Sequence, residues 1–248
     1  MDTRTLATQL LSRLGFNENS QYSRIGVKLG DLVDSSMQTH QYHNNEHVQQ
    51  ATMSAYQLGR AEGLSKEDTA LLVISMLGHD LAHPGVSNKV PFANERAAIA
   101  TMTPIIAELS DKERTKITHT ILATEPTQFE KVRERYLAAD KRGSMPIQDR
   151  LSALAVESDL AASVAISVDH TRKNAYNLAQ ETGLAFLDTP DLQIKFGQSH
   201  GPFTKGSQRI GAVVRSKVIQ DTIAANYAAN PFHKTKERSK VREVSFDR

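Results

Sequence analysis

The chain of 248 residues carries 30 Lys and Arg against 28 Asp and Glu, a formal net charge of +2, with 39% hydrophobic and 23% charged residues. That length buries a substantial core, and the absence of cysteine excludes a disulfide framework and thiolate-held copper or iron–sulfur groups. No stretch approaches the ~18 consecutive apolar residues of a membrane span, Met1 to Arg4 lead into an amphipathic segment instead of a signal core, and the positive charges are dispersed, so a cytoplasmic protein with no membrane or nucleic-acid partner is expected.

Helical periodicity runs through nearly the whole chain, and no run alternates as a strand would, which predicts an all-α fold in one domain over 1–230. Leu6, Leu10 and Leu14 line a first helix, and Ile25, Leu29, Leu32 and Val33 a second that gives way to the polar stretch Thr39 to His43. Asn44 or Asn45 is placed to cap a helix reaching about Arg60 and closed by Gly63. Ser65 to Asp68 resembles a capping box opening an apolar helix over 69–81, which Pro84-Gly85 stops. After a loop to about Phe92, a helix from Asn94 breaks near Pro104. Ser110 with Glu113 is a second capping box, starting a helix that ends before Pro126. Gln128 to Asp140 reads as a solvent-facing helix, and Leu151, Leu154, Ala155 and Ala161 as a buried one around Asp159. Further helices are predicted over 172–181 and 206–227. The segment 182–204, with Pro190, Gly197, Gly201 and Pro202, reads as a loop-rich border to a cleft. The basic tail 231–248 reads as a mobile, solvated end.

The chemistry concentrates in three places. Gly78 to Asn88 reads G-H-D-L-A-H-P-G-V-S-N, so a helix ending here projects His79 and Asp80 from neighbouring positions into one space. Imidazole nitrogen with carboxylate oxygen suits zinc, iron, manganese or magnesium. Upstream, Tyr42-His43-Asn44-Asn45-Glu46-His47 sets two histidines one helical turn apart, with His47 placed to supply a third donor. Asp159 lies inside an otherwise apolar helix, where an unpaired carboxylate is costly and a cation would answer it.

His79-Asp80 with His47 and Asp159 resembles the ligand set of the HD-domain metal-dependent phosphohydrolases. Within that group, Y-H-N-x-x-H at 42–47, H-D-x-x-H-P-G-V-S-N at 79–88 and I-L-A-T-E at 121–125 resemble the class I cyclic-nucleotide phosphodiesterases, which carry aspartate where this chain has Glu125. The resemblance covers roughly residues 42 to 160 and implies an all-helical HD-type catalytic domain. It implies that His47, His79, Asp80 and Asp159 hold two divalent ions (Zn, Mn, Mg or Fe), with Asp80 bridging them, and that a metal-bridging hydroxide attacks phosphorus. His43 would act as general acid, His83 and Glu125 would act on bound water or phosphate oxygen, and Thr124 would join them at the substrate. The substrate implied is a small phosphorylated molecule, a cyclic nucleotide or related phosphodiester.

The purine of such substrates is gripped in that family by a glutamine and an aromatic residue near the C-terminus. Gln208 in Ser207-Gln208-Arg209-Ile210-Gly211 is the counterpart selected here, with Gly211 where the aromatic residue is expected and Gln198 as a competing glutamine. Glu95 is the nearest counterpart of an acid that follows the H-P-G-V-S-N loop. Three other readings compete: a nucleotide phosphomonoesterase, an HD-type di-iron oxygenase recruiting His119 or His83, and a non-catalytic nucleotide-sensing HD domain, against which the retention of His43 speaks.

Overall fold

The structure, a computed structural model, describes residues 1–37, 40–183 and 189–229, without the side chain of Ala162. The basic segment 231–248 and Thr39 lie outside the described residues. Twelve α-helices occur among the described residues, and no strand does. They are α1 Thr3–Arg13, α2 Gln21–Ser36, α3 Asn45–Glu62, α4 Lys66–Gly78, α5 Ala93–Met102, α6 Asp111–Leu122, α7 Phe129–Lys141, α8 Ile147–Val164, α9 Val168–Thr182, α10 Pro190–Ser199, α11 Lys205–Arg209 and α12 Ala212–Ala229. None is long and apolar enough to cross a membrane.

Local chemistry sets most boundaries. The Asn44 side chain accepts the backbone N–H of His47 at 3.1 Å and starts α3, which Gly63 closes at φ 78. Ser65 caps α4 by accepting from Asp68 N at 3.0 Å, and Ser110 with Glu113 forms a complete capping box on α6. Several expectations need correction. Helix α7, expected to face solvent, buries Phe129, Val132, Tyr136 and Ala139 on its inner side. The segment 182–204 contains α10, because Pro190 at a helix start keeps the only φ it can adopt and loses no hydrogen bond there. The helix predicted over 206–227 is divided at Gly211, whose φ of 72 interrupts the ladder between α11 and α12.

Helix α4 is the axis of the fold. Every residue from Thr69 to Gly78 is buried, as its nearly uninterrupted apolar sequence requires. One side packs on α1, α2, α5 and α6 through Leu71, Ile74 and Leu77 against Leu11, Ile25, Leu29, Met102 and Ile117. The other side, with Leu72 and Met76, meets Ala51, Ala55 and Leu58 of α3 and Leu151, Leu154 and Ala155 of α8. The alanines let α3, α4 and α8 approach closely. These are the helices that carry His47, the His79-Asp80 pair at the α4 terminus, and Asp159.

Candidate active site

Helix α4 ends at Gly78, three residues earlier than periodicity predicts, so His79 caps it and Asp80 begins a tight turn. Ala82 in that turn has φ 61, a left-handed conformation that costs a non-glycine residue about 1–2 kcal/mol. The turn returns the chain so that His83 lies against His43.

Four donor atoms meet where the three helices converge. His47 Nε2 is 3.2 Å from Asp80 Oδ2 and 3.0 Å from Asp159 Oδ1, while His79 Nε2 is 3.1 and 3.4 Å from the same two oxygens. His79 Nδ1 lies 2.9 Å from the Met76 carbonyl, which accepts its N–H and turns Nε2 toward the cluster. Despite their separation, His47 Nε2, His79 Nε2 and Asp80 Oδ2 are buried without a hydrogen-bond partner. Ligands held ~2.0–2.2 Å from one ion lie about 3 Å from their neighbours, the spacing of the four histidine–aspartate contacts here, and His47, His79 and Asp80 offer donor atoms all within 4.8 Å of one another. Orphaned buried donors at ligand spacing are what a cation site requires and what a hydrogen-bonded core avoids. Burial acts against charge on Asp80, yet His79, His43 and His47 around it push its carboxyl well below the usual range. Asp159 is likewise held low by His47 and His79 against the cost of burial.

A second group lies beside the first. His43 Nδ1 is 2.5 Å from Glu181 Oε1, and Glu181 Oε2 accepts the backbone N–H of Tyr42 at 2.6 Å and of His43 at 3.1 Å. The His43 and His83 rings stack with centroids 3.7 Å apart. Burial and the neighbouring His43 charge push His83 down to about 4, so it is neutral near pH 7. Its Nδ1 accepts the Gly85 N–H at 3.1 Å. Burial would raise Glu181, but its bond to His43 lowers it to about 2. A carboxylate fixed by two backbone donors and bonded to one imidazole nitrogen leaves the opposite nitrogen of His43 to serve as a proton donor.

The remaining candidates fall as follows. Glu125 is buried and caps the short 3-10 turn Pro126–Gln128, accepting from Thr127 N at 3.0 Å. The Thr124 hydroxyl donates to Ile121 O at 2.8 Å. Glu95 is buried and accepts from Asn88 Nδ2 at 2.9 Å; burial raises it, and the charges of Glu125 and Asp80 add to that rise. His119 faces a groove between α6, α7 and α8, apart from the four-donor cluster. Gln208 is exposed on α11, where the buried residues are Gly206 and Ser207.

Two features escaped the sequence reading. One is Glu181, 138 positions from His43 and without any local motif. The other is a narrow slot of about 20 Å³ lined by Ser163, Thr171, Asn174, Leu178, Gln193 and Phe196. Ser163 also bonds the Tyr42 hydroxyl at 3.1 Å, and Tyr42 packs on His47 with centroids 4.7 Å apart, so the slot adjoins the cluster. Gln193 and Phe196 are three residues apart, the same spacing that separates Gln208 from Gly211. That spacing was the available signal.

No family model and no curated protein matches this chain. Among solved structures it is similar to the phosphodiesterase domain of Salpingoeca rosetta rhodopsin phosphodiesterase, with a TM-score of 0.68, 14% identity, and coverage of 98% of this chain and 89% of that one. A second structure of that phosphodiesterase domain, from the RhoPDE fusion protein of the same choanoflagellate, gives a TM-score of 0.64 at 15% identity over 91% and 87% of the two chains. LmjPDEB1, solved in complex with IBMX, gives 0.71 at 15% identity over 92% and 86%. The chain has the all-helical fold of the class I phosphodiesterase catalytic domain.

Proposed function

We propose that the protein is a metal-dependent phosphodiesterase. The observation that carries this reading is the convergence of His47, His79, Asp80 and Asp159 with three of their donor atoms orphaned. Those four residues would hold a divalent ion, and the buried acids Glu95 and Glu125 would support a second positive charge. When bound, such ions lower the pKa of water and neutralise charge on a phosphate.

The protein's own groups do the rest. His43, fixed by Glu181, gives its proton to the leaving ester oxygen as the P–O bond to that oxygen breaks and the bond from water oxygen to phosphorus forms, so a diester and water become a monoester and an alcohol. His83, neutral and stacked on His43, excludes water from one face of the acid. Thr124 and Glu125 border the phosphate. Gln193 and Phe196 line the side of the site toward one nucleoside, a role for which Gln208 is the alternative.

Elemental analysis of purified protein, combined with hydrolysis of bis(p-nitrophenyl) phosphate, cyclic mononucleotides and cyclic dinucleotides, tests the reading. Asp80→Ala is expected to remove bound metal and turnover together. Wild-type protein that neither retains divalent metal nor cleaves any of these esters would refute it.

A further inference from the structure

Three features follow one another along a single face of α8. Ser152, Asp159 and Ser163 are spaced by seven and four residues; at 100° and 1.5 Å per residue they lie within about 40° of one another and about 10 and 6 Å apart along the axis. Ser163 borders the narrow slot and Asp159 belongs to the four-donor cluster. Ser152, only 3% exposed, lines a groove of about 390 Å³ between α6, α7 and α8. Ala123 lies in the groove wall, and the next two residues in the chain are Thr124 and Glu125.

The two depressions differ in room and in chemistry. About 20 Å³ accommodates one water, whereas about 390 Å³ falls within the ~300–1,000 Å³ of small-molecule sites. Groove chemistry matches a nucleotide. Phe92 presents an aromatic ring, with Arg96 5.8 Å from its centroid. The Gln148 amide nitrogen lies 3.3 Å from both Thr120 Oγ1 and Ser152 Oγ, which leaves its carbonyl oxygen as an acceptor. Asp149 supplies a carboxylate 3.4 Å from the guanidinium of the half-exposed Arg135. An aromatic face, acceptors for the N–H groups of a base edge, and a cation for phosphate are the parts from which single-stranded nucleotides are recognised.

Resting on the phosphodiesterase reading, we infer that the substrate is a dinucleoside phosphodiester, cyclic or linear, whose scissile phosphate sits at the His47-His79-Asp80-Asp159 cluster while the second nucleotide occupies the Phe92-Arg135-Gln148 groove. A cyclic mononucleotide would leave that groove unused.

The test compares kcat/KM for cyclic diadenylate, cyclic AMP and bis(p-nitrophenyl) phosphate in the metal-loaded wild type and in Phe92→Ala and Arg135→Ala, with binding of a non-hydrolysable phosphorothioate cyclic diadenylate measured in parallel. The wild type should favour the dinucleotide over cyclic AMP by at least about tenfold, and each variant should lose about tenfold on the dinucleotide, the low end of one base stack, with a clearly smaller loss on the other two esters. Equal or faster cleavage of cyclic AMP, or equal losses on all three substrates, overturns the inference. So does phosphorothioate affinity that neither variant lowers. If no ester is cleaved but both variants weaken phosphorothioate binding, the phosphodiesterase reading falls and the groove stands.

Discussion

Replacing Glu181 with glutamine isolates the proposed proton-donor pair from the four-donor cluster. The carboxylate uses Oε2 to accept two backbone N–H groups and Oε1 to receive His43 Nδ1. Glutamine has one carbonyl oxygen, and two backbone donors hold it more strongly than one imidazole. Its amide nitrogen then faces His43 Nδ1, which must turn acceptor, and the ring keeps a single proton as a neutral imidazole, a far weaker acid. The charged hydrogen bond lost is worth ~1.5–3 kcal/mol, which corresponds to a rate loss of about 10- to 100-fold where the leaving group is an alkoxide. A nitrophenolate leaves without protonation, so hydrolysis of bis(p-nitrophenyl) phosphate should fall less than about fivefold within the same general-acid reasoning. Metal content should stay at the wild-type level. Steady-state kinetics with both substrates, with elemental analysis of the same samples, reads all of this. An equal loss on both esters would refute the dyad.

Three further outcomes concern His43, His83 and Gly30. His43→Ala should retain its metal by elemental analysis while turnover of an alkoxide-leaving ester falls by roughly 10²–10⁴. His83 is held near 4 when folded against ~6.5 unfolded, so between those values the unfolded chain binds a proton the native state refuses. Stability therefore falls as pH drops through that window, by up to about 3 kcal/mol from this group. Urea unfolding of chelator-treated protein should show a shallower decline between pH 7 and 4.5 in His83→Asn than in the wild type, and identical slopes would contradict the assignment. Gly30→Ala would set a methyl 2.5 Å from the Arg4 Cα of α1, a clash with backbone that has no flexible side chain to yield. Destabilisation of about 1–3 kcal/mol, measured by chemical denaturation, is the expected cost of overpacking, and an unchanged midpoint would show that α1 moves freely on α2.

The parts of this fold that sequence makes legible are those whose cause is local. Asn44, Ser65 and Ser110 announce helix starts because each side chain satisfies a backbone N–H three residues away. Helix α4 is evident because ten successive positions must all avoid water. His47, His79, Asp80 and Asp159 are recognisable because each sits in a short stretch whose polar residues have no reason to lie in an apolar helix. Helix α10 was obscured by Pro190, Gly197 and Gly201, residues that ordinarily mark loops. Pro190 opens the helix without cost, and Gly197 gives room to the Gln220 side chain, whose Nε2 a Cβ there would approach to 2.9 Å. That contact belongs to α12, which no window around residue 197 contains.

Glu181 shows the limit in its sharpest form, since its role depends on partners at positions 42 and 43 and its own neighbours, Gln180 and Thr182, have the polarity of any helix end. The need was nevertheless written at the other partner. A histidine assigned as proton donor needs one ring nitrogen fixed, by a carbonyl or a carboxylate. Glu46, the one carboxylate between Gln41 and His47, instead pairs with Lys173 at 2.7 Å, and the partner of His43 Nδ1 comes from another helix. With its two backbone bonds to 42 and 43, the residue found there fixes the ring and also the start of the segment that leads into α3. The same carboxylate thus ties the geometry of the acid to the placement of His47, four residues on.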